Sequence, residues 1–168
     1  MSHYVTVQGS ITYHNKIYLD KAVAILQKGG YLNEELVFTD ECNSPYDQDC
    51  VDYKNLTLSI PYGCHRNLGR SVDHLWEGAK YGILVGTSTD GCFDGWTIEL
   101  TQDTSPRGKL KEDLNIHRKP TQQYWDLTQW AEAKGREIVE YDDNDDMNEQ
   151  YYEWQNQMEE EFHDYYMR

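Results

Sequence analysis

The stretch YVTVQGSITYHNKIYLDKAVAILQKGG, Tyr4 to Gly30, changes its apolar period partway along and so sets the fold class. Val5, Val7, Ile11 and Tyr13 alternate with Thr6, Gln8, Ser10 and Thr12, the period of two that buries one face of a strand. Asn15 then offers a helix cap. Beyond it Leu19, Ala22, Val23 and Leu26 fall at i, i+3, i+4 and i+7, an apolar helical stripe that stops at Gly29-Gly30.

Working outward, Leu36 to Thr39 reads as a shorter second strand, and DECNSPYDQDCVD, Asp40 to Asp52, as an exposed loop. Asn55 to Tyr62 alternates again, with Leu56, Leu58, Ile60 and Tyr62 facing one way and Thr57 and Ser59 the other. A second helix follows, striped by Leu68, Val72, Leu75, Trp76 and Ala79 and closed by Gly82. Strands near Ile83 to Thr89 and Trp96 to Thr101 then form a hairpin through Asp90-Gly91 and Asp94-Gly95. This order predicts an α+β fold: a ferredoxin-like βαββαβ sheet with an added strand, both helices on one face, followed by C-terminal acidic helices.

Residues 1–103 make up that α+β domain. Residues 104–120 hold Pro106 and Pro120 with Arg107, Lys109, Lys111, Arg118 and Lys119, and read as a linker or long loop. Residues 121–168 read as a helical acidic extension, with Thr121 capping a helix that carries Tyr124, Trp125, Leu127, Thr128, Trp130 and Ala131. The second face of the sheet, rich in Thr, Ser and Gln, looks too polar to be a core. The C-terminal helices are therefore expected at an edge, on the helical layer, or projecting outward.

From Glu140 to Arg168 the chain has eleven acidic residues and one basic, a net of −10, while the preceding 139 residues have nineteen and fourteen, a net of −5. Met147, Tyr151, Trp154, Met158, Phe162 and Tyr165 recur through this segment in steps of three or four, which places them on one face of a helix beginning near Asp146. A disordered acidic tail is poor in aromatics. At about 1.5 Å per residue a helix of this composition has one net negative charge per ~4 Å, close to the ~3.4 Å per phosphate along one DNA strand.

A formal charge of −15 opposes direct contact with nucleic acid or an anionic membrane and favours basic proteins as partners. The N-terminus has neither a basic leader nor an apolar run, and no window is long and apolar enough to span a bilayer, so a cytoplasmic location is expected. In that setting Cys42, Cys50, Cys64 and Cys92 are expected as thiols rather than disulfides. The fourteen tyrosines and five tryptophans suit half-exposed interface positions, and a homo-oligomer is one use for them.

Few constellations point to catalysis. Cys92, within GTSTDGCFDGW, could act as a nucleophile with His65 as base and Asp90 beside them, on a site that would also include Cys64, Ser88 and Asp94. A hairpin turn explains the same residues. Cys42, Cys50, Cys64 and His65 lack the C-x-x-C spacing of a zinc site. Asp142, Asn144, Asp146 and Glu153 match calcium-loop positions, but Met147 stands where glycine makes the sharp turn. No metal or cofactor is therefore expected. The Asn55-Leu56-Thr57 sequon falls in an expected strand.

In charge and size the chain is similar to the mixed class of small acidic inhibitors, often phage-encoded, that imitate nucleic acid to block host defence or DNA-binding enzymes, of the anti-restriction or anti-CRISPR kind. The last thirty residues carry the likeness. It implies a non-enzymatic protein that occupies a basic, nucleic-acid-binding groove on a partner. Asp142, Asp143, Asp145, Asp146, Glu149, Glu153, Glu159, Glu160, Glu161 and Asp164 would stand in for phosphates, and Tyr151, Trp154 and Tyr165 would serve as anchors. The alternatives are the small Cys/His/Asp enzyme above and an oligomerising interaction module.

Overall fold

The computed structural model describes residues 4–27, 50–66, 73–89, 92–102 and 118–167. They form a mixed α+β fold on a six-stranded antiparallel sheet. In chain order the elements are β1 (Tyr4–Tyr13), α1 (Lys16–Gln27), β2 (Val51–Asp52), β3 (Thr57–Arg66), β4 (Ala79–Ser88), β5 (Asp94–Leu100), β6 (Thr121–Asp126), α2 (Leu127–Ala133) and α3 (Glu149–Met167). Across the sheet the order is β2-β3-β1-β4-β5-β6. The expected strand at Leu36–Thr39, most of the Asp40–Asp52 loop and most of the 104–120 linker lie outside the described residues.

One face of the sheet packs on α1. Val5, Val7, Ile11 and Tyr13 of β1 meet Leu19, Ala22, Val23 and Leu26 of α1, with Leu58, Ile60, Leu84, Ile98 and Leu100 from the neighbouring strands, all buried. The two apolar periods of the opening stretch thus supply both sides of this core. The Asn15 side chain accepts a hydrogen bond from the Tyr18 N–H at 3.2 Å, capping α1. The Tyr13 hydroxyl donates to the Leu75 carbonyl at 2.5 Å, so the ring is buried without stranding its polar end.

The opposite face is a second core, contrary to the expectation of a plain polar surface. Val85 of β4 packs with Leu127, Trp130 and Ala131 of α2 and Trp154, Met158 and Phe162 of α3. Several sheet positions there are small, which lets large rings approach the backbone. A Cβ on Gly95 would lie 2.7 Å from Phe162 and 2.8 Å from Leu127. Thr87 and Thr97 are buried on this side. Their hydroxyls disguise a packed surface as a wet one.

A bulge sets which side chains face which layer. Between β1 and β3 the register passes from Val7↔Gly63 to Gly9↔Ile60, so Gln8 alone opposes Pro61 and Tyr62. The extra residue reverses the alternation of β3. Tyr62 therefore leaves the face of Leu58 and Ile60, where the alternation had put it, and meets α3 instead, its ring 5.0 Å from that of His163. At Gly9, φ is +151° and a Cβ would sit 2.0 Å from the Ile83 carbonyl, so only glycine fits.

Three further boundaries differ from the sequence reading. Thr121 to Asp126 is a strand, not the start of a helix; it pairs with β5 from Glu99↔Thr121 to Asp94↔Asp126. Asp126 ends it and caps α2, its carboxylate accepting from the N–H groups of Thr128 at 2.9 Å and Gln129 at 3.2 Å. Aspartate is the stronger cap, and Thr, Tyr and Trp suit a strand. Ala79 and Gly82 both belong to β4, and the described helical residues before it are 73–75 alone. α2 closes in a Schellman turn, Arg136 N–H to Ala131 O at 2.9 Å and Gly135 N–H to Glu132 O at 3.0 Å, with Gly135 at φ +73°.

Candidate partner-binding surface

Between α2 and α3 the chain runs through Glu137, Ile138, Val139 and Glu140 into the acidic turn 142–148. Asn148 organises that turn. Its Nδ2 donates to the carbonyls of Asp142 at 2.9 Å and Asp145 at 2.7 Å, and its Oδ1 accepts from the Asp142 N–H at 2.8 Å. The residue is 4% exposed and sits at φ +45°, a conformation asparagine tolerates better than most. Asp142 accepts from the Asn144 N–H at 2.9 Å and Asp145 from the Met147 N–H at 3.1 Å. These bonds hold the backbone and leave the outer carboxylate oxygens to solvent.

α3 takes over from there. On a helix of 3.6 residues per turn, Glu149, Glu153, Glu160 and Asp164 fall within an arc of about 60° and spread over roughly 22 Å of axis. All four are exposed, as are Asp142, Asp143, Asp145 and Asp146. Glu159 differs: it is 8% exposed and turns towards the sheet side. Glu161 also differs, being half-buried with Oε2 at 3.0 Å from Arg136 Nε. Among the described residues this is the one ion pair that engages an acid of the C-terminal segment.

The aromatic residues divide the same way. Trp154 is 7% exposed, its Nε1 donating to the Glu137 carbonyl at 2.8 Å and its ring 5.4 Å from Phe93. It holds the 136–139 segment against α3 and floors a groove of about 350 Å³ edged by Glu137, Glu153 and Gln157. Tyr151 is half-buried, its ring 5.5 Å from Tyr141 and 5.4 Å from Tyr152. Tyr165 is half exposed under the Lys134 ammonium, 4.1 Å from the ring centre. Tyr141, Met147, Tyr152 and Tyr165 are exposed among the acids, although the steps of three or four had put Met147 on the same helix face as the buried Trp154 and Phe162.

Behind this surface, His163 joins α3 to the sheet. It is 1% exposed, with Nε2 2.9 Å from Thr87 Oγ1. Burial holds its pKa down at about 4, against the pull of Asp164 and the Thr6 backbone. Tyr62, against the same ring, is pushed up to about 12 by burial and then by the carboxylates of Glu159, Glu160 and Asp164. Neither His163 nor Asn148 stood out in the sequence. An asparagine directly before the helical run was the one available sign of the turn.

The catalytic alternative is only partly placed. Asp90 and the side chains of Cys64 and His65 lie outside the described residues. By backbone register Cys64 opposes Thr6, which on its other side opposes Thr87, so β1 stands between Cys64 and β4. Cys92 is exposed in the β4–β5 connection, and Asp94 pairs with Ser88. A cleft of about 570 Å³ lies between Trp76 and Ile98, rimmed by Asp73, Glu77, Arg118 and Lys119, and holds none of these residues. No cluster of three or more metal-ligating side chains occurs among the described residues, and none of their helices is long and apolar enough to cross a membrane.

Comparison with protein-family models, curated proteins and solved structures returned no match.

Proposed function

We propose that the surface from Asp142 to Asp164 binds the basic, nucleic-acid-binding groove of a partner protein and inhibits it by imitating a polyanion, without catalysis. The observation that carries this reading is that the carboxylates stand on an ordered scaffold and, Glu161 apart, have no cation partner among the described residues. A mimic needs fixed charges; a merely solubilising tail does not. Because Asn148 fixes the turn and the second core fixes α3, little ordering entropy is lost on binding. Guanidinium and ammonium groups that otherwise grip phosphate would meet Asp142, Asp143, Asp145, Asp146, Glu149, Glu153, Glu160 and Asp164, with Tyr141 and Tyr152 as stacking surfaces for arginine. Glu159, Glu161 and Trp154 serve the fold instead.

Long-range attraction raises the encounter rate, and salt weakens the complex. A phage-encoded inhibitor of host defence is the setting that best suits such a chain, with the cytoplasm as its location. The same reading extends to topology: the order β3-β1-β4 and the packing of α1 on one face support a ferredoxin-like core, elaborated by β5, β6 and the C-terminal helices.

The test uses a six-fold variant, Asp142→Asn, Asp143→Asn, Asp145→Asn, Asp146→Asn, Glu149→Gln and Glu153→Gln, which keeps every acceptor that the turn uses. Capture from cells of the source should give a nucleic-acid-binding protein on the native chain, displaced by added duplex DNA and absent from the variant. A partner held equally by both would remove this surface from the mechanism.

A further inference from the structure

Among the described residues β6 is the last strand on its side of the sheet. Its pairing tells which backbone groups β5 leaves unused. The Leu127 N–H donates to the Phe93 carbonyl at 2.9 Å, and this continues the β5–β6 register by one step. In an antiparallel ladder inward and outward residues alternate. Thr121, Gln123 and Trp125 therefore bond to β5, while Gln122 and Tyr124 direct their N–H and C=O groups away from the sheet.

Such an edge is normally blunted by lysine, proline or a bulge within the strand. Within TQQYW there is none of these and no charge, and the side chains are exposed along most of its length, Tyr124 being 70% exposed; Pro120, directly before it, falls at an outward position and offers a carbonyl but no N–H. The charges lie at its ends. Arg118 and Lys119 precede it and Asp126 closes it.

We propose that β6 pairs with β6 of a second copy of this chain, antiparallel about a two-fold axis near Gln122, to make one sheet continuous across both molecules. The sequence is self-complementary in that arrangement. Turning one copy end for end lays its Arg118 and Lys119 beside Asp126 of the other, twice over, and brings a neutral centre against itself. No other strand polarity does this, because parallel pairing would set like charges together at both ends. The net charge of −15 opposes association, so a weak dimer is expected, formed between micromolar and submillimolar concentration at physiological salt. The inference does not depend on the function proposed above.

Light scattering behind a sizing column should show the mass rising towards twice that of one chain with concentration, and the Gln122 and Tyr124 amides should gain exchange protection as it rises. Gln122→Pro removes an outward N–H from each copy without touching the β5 ladder, and should raise the dissociation constant by about tenfold or more. Should that variant fail to fold, the double substitution Arg118→Glu with Lys119→Glu changes no backbone bond and should also return the protein to monomer. A chain that stays monomeric throughout overturns the proposal. So does a dimer that survives both variants or leaves the two amides unprotected.

Discussion

The two faces of the sheet are covered by different chemistry. On the first, valine, leucine and isoleucine from four strands meet a helix whose stripe is also aliphatic. On the second, small sheet residues receive Trp125, Trp130, Trp154 and Phe162, and a buried histidine and two buried threonines lie among them. The first face is held chiefly by buried apolar area, which is insensitive to pH, with the Tyr13 hydroxyl bonded to the Leu75 carbonyl. The second adds ring geometry and polar groups that must stay neutral or paired, so its helices answer to conditions that leave the first face untouched. It is also this second layer that supports the acidic surface.

The sharpest way to break the comparison is Phe162→Ala. The ring stands 5.4 Å from Trp125, 5.4 Å from Trp130 and 4.8 Å from Tyr166, and fills the space above Gly95. Its loss should cost about 3–5 kcal/mol, read as a lower midpoint in urea unfolding with loss of near-ultraviolet dichroism from the tryptophans. A cost under about 1 kcal/mol would mean that the second layer is a loose cover rather than a core.

The next effect is one of pH. His163 faces Thr87 of β4, Tyr62 of β3 and the Thr6 backbone of β1, with Glu159, Glu160 and Asp164 on its own helix. Its folded pKa of about 4 lies below the ordinary 6.5, so between those values the unfolded chain binds the proton that the folded one refuses. The contribution is whole above pH 6.5, falls as pH drops towards 4, and is flat below; in full it amounts to about 3 kcal/mol. Urea titrations across that window should show the loss, and His163→Gln should flatten it. A slope unchanged in the variant would assign the pH response to other groups.

The first face was legible in the sequence and the second was not, and the cause is the same rule applied to different residues. Alternation from Val5 to Tyr13 and the stripe from Leu19 to Leu26 announce burial because aliphatic residues have no other reason to be periodic. Gly95, Thr87 and Thr97 are buried because they are small, and smallness has no period. Tyr62 was misplaced since a bulge is invisible in hydropathy, and β6 because Tyr124 and Trp125 fit either a strand or a helix until Asp126 is recognised as the cap. Of the candidate surface, the acids were plain from composition. Their sorting was not: Glu159 and Glu161 look like their neighbours, and only the rotation of α3 against the sheet and the position of Arg136 set them apart.

The smallest effect sharpens the comparison most, because it asks whether the two layers melt together. Asp126→Ala removes the cap of α2, worth about 1 kcal/mol, while Asp126→Asn keeps an acceptor in the same place and should cost a few tenths. If the sheet binds its two layers into one cooperative unit, the alanine variant lowers amide protection in α1 and α3 alike. If the aromatic layer opens by itself, protection falls in α2 and α3 and stays unchanged in α1. The bonds given up, from Thr128 and Gln129 to one carboxylate, are local and exposed. The distribution of the loss therefore reports the coupling between layers rather than the damage at the site. Loss confined to the aromatic layer would also show that the scaffold of the acidic surface can be loosened without unfolding the rest, and would tie the pH response of His163 to the same local opening.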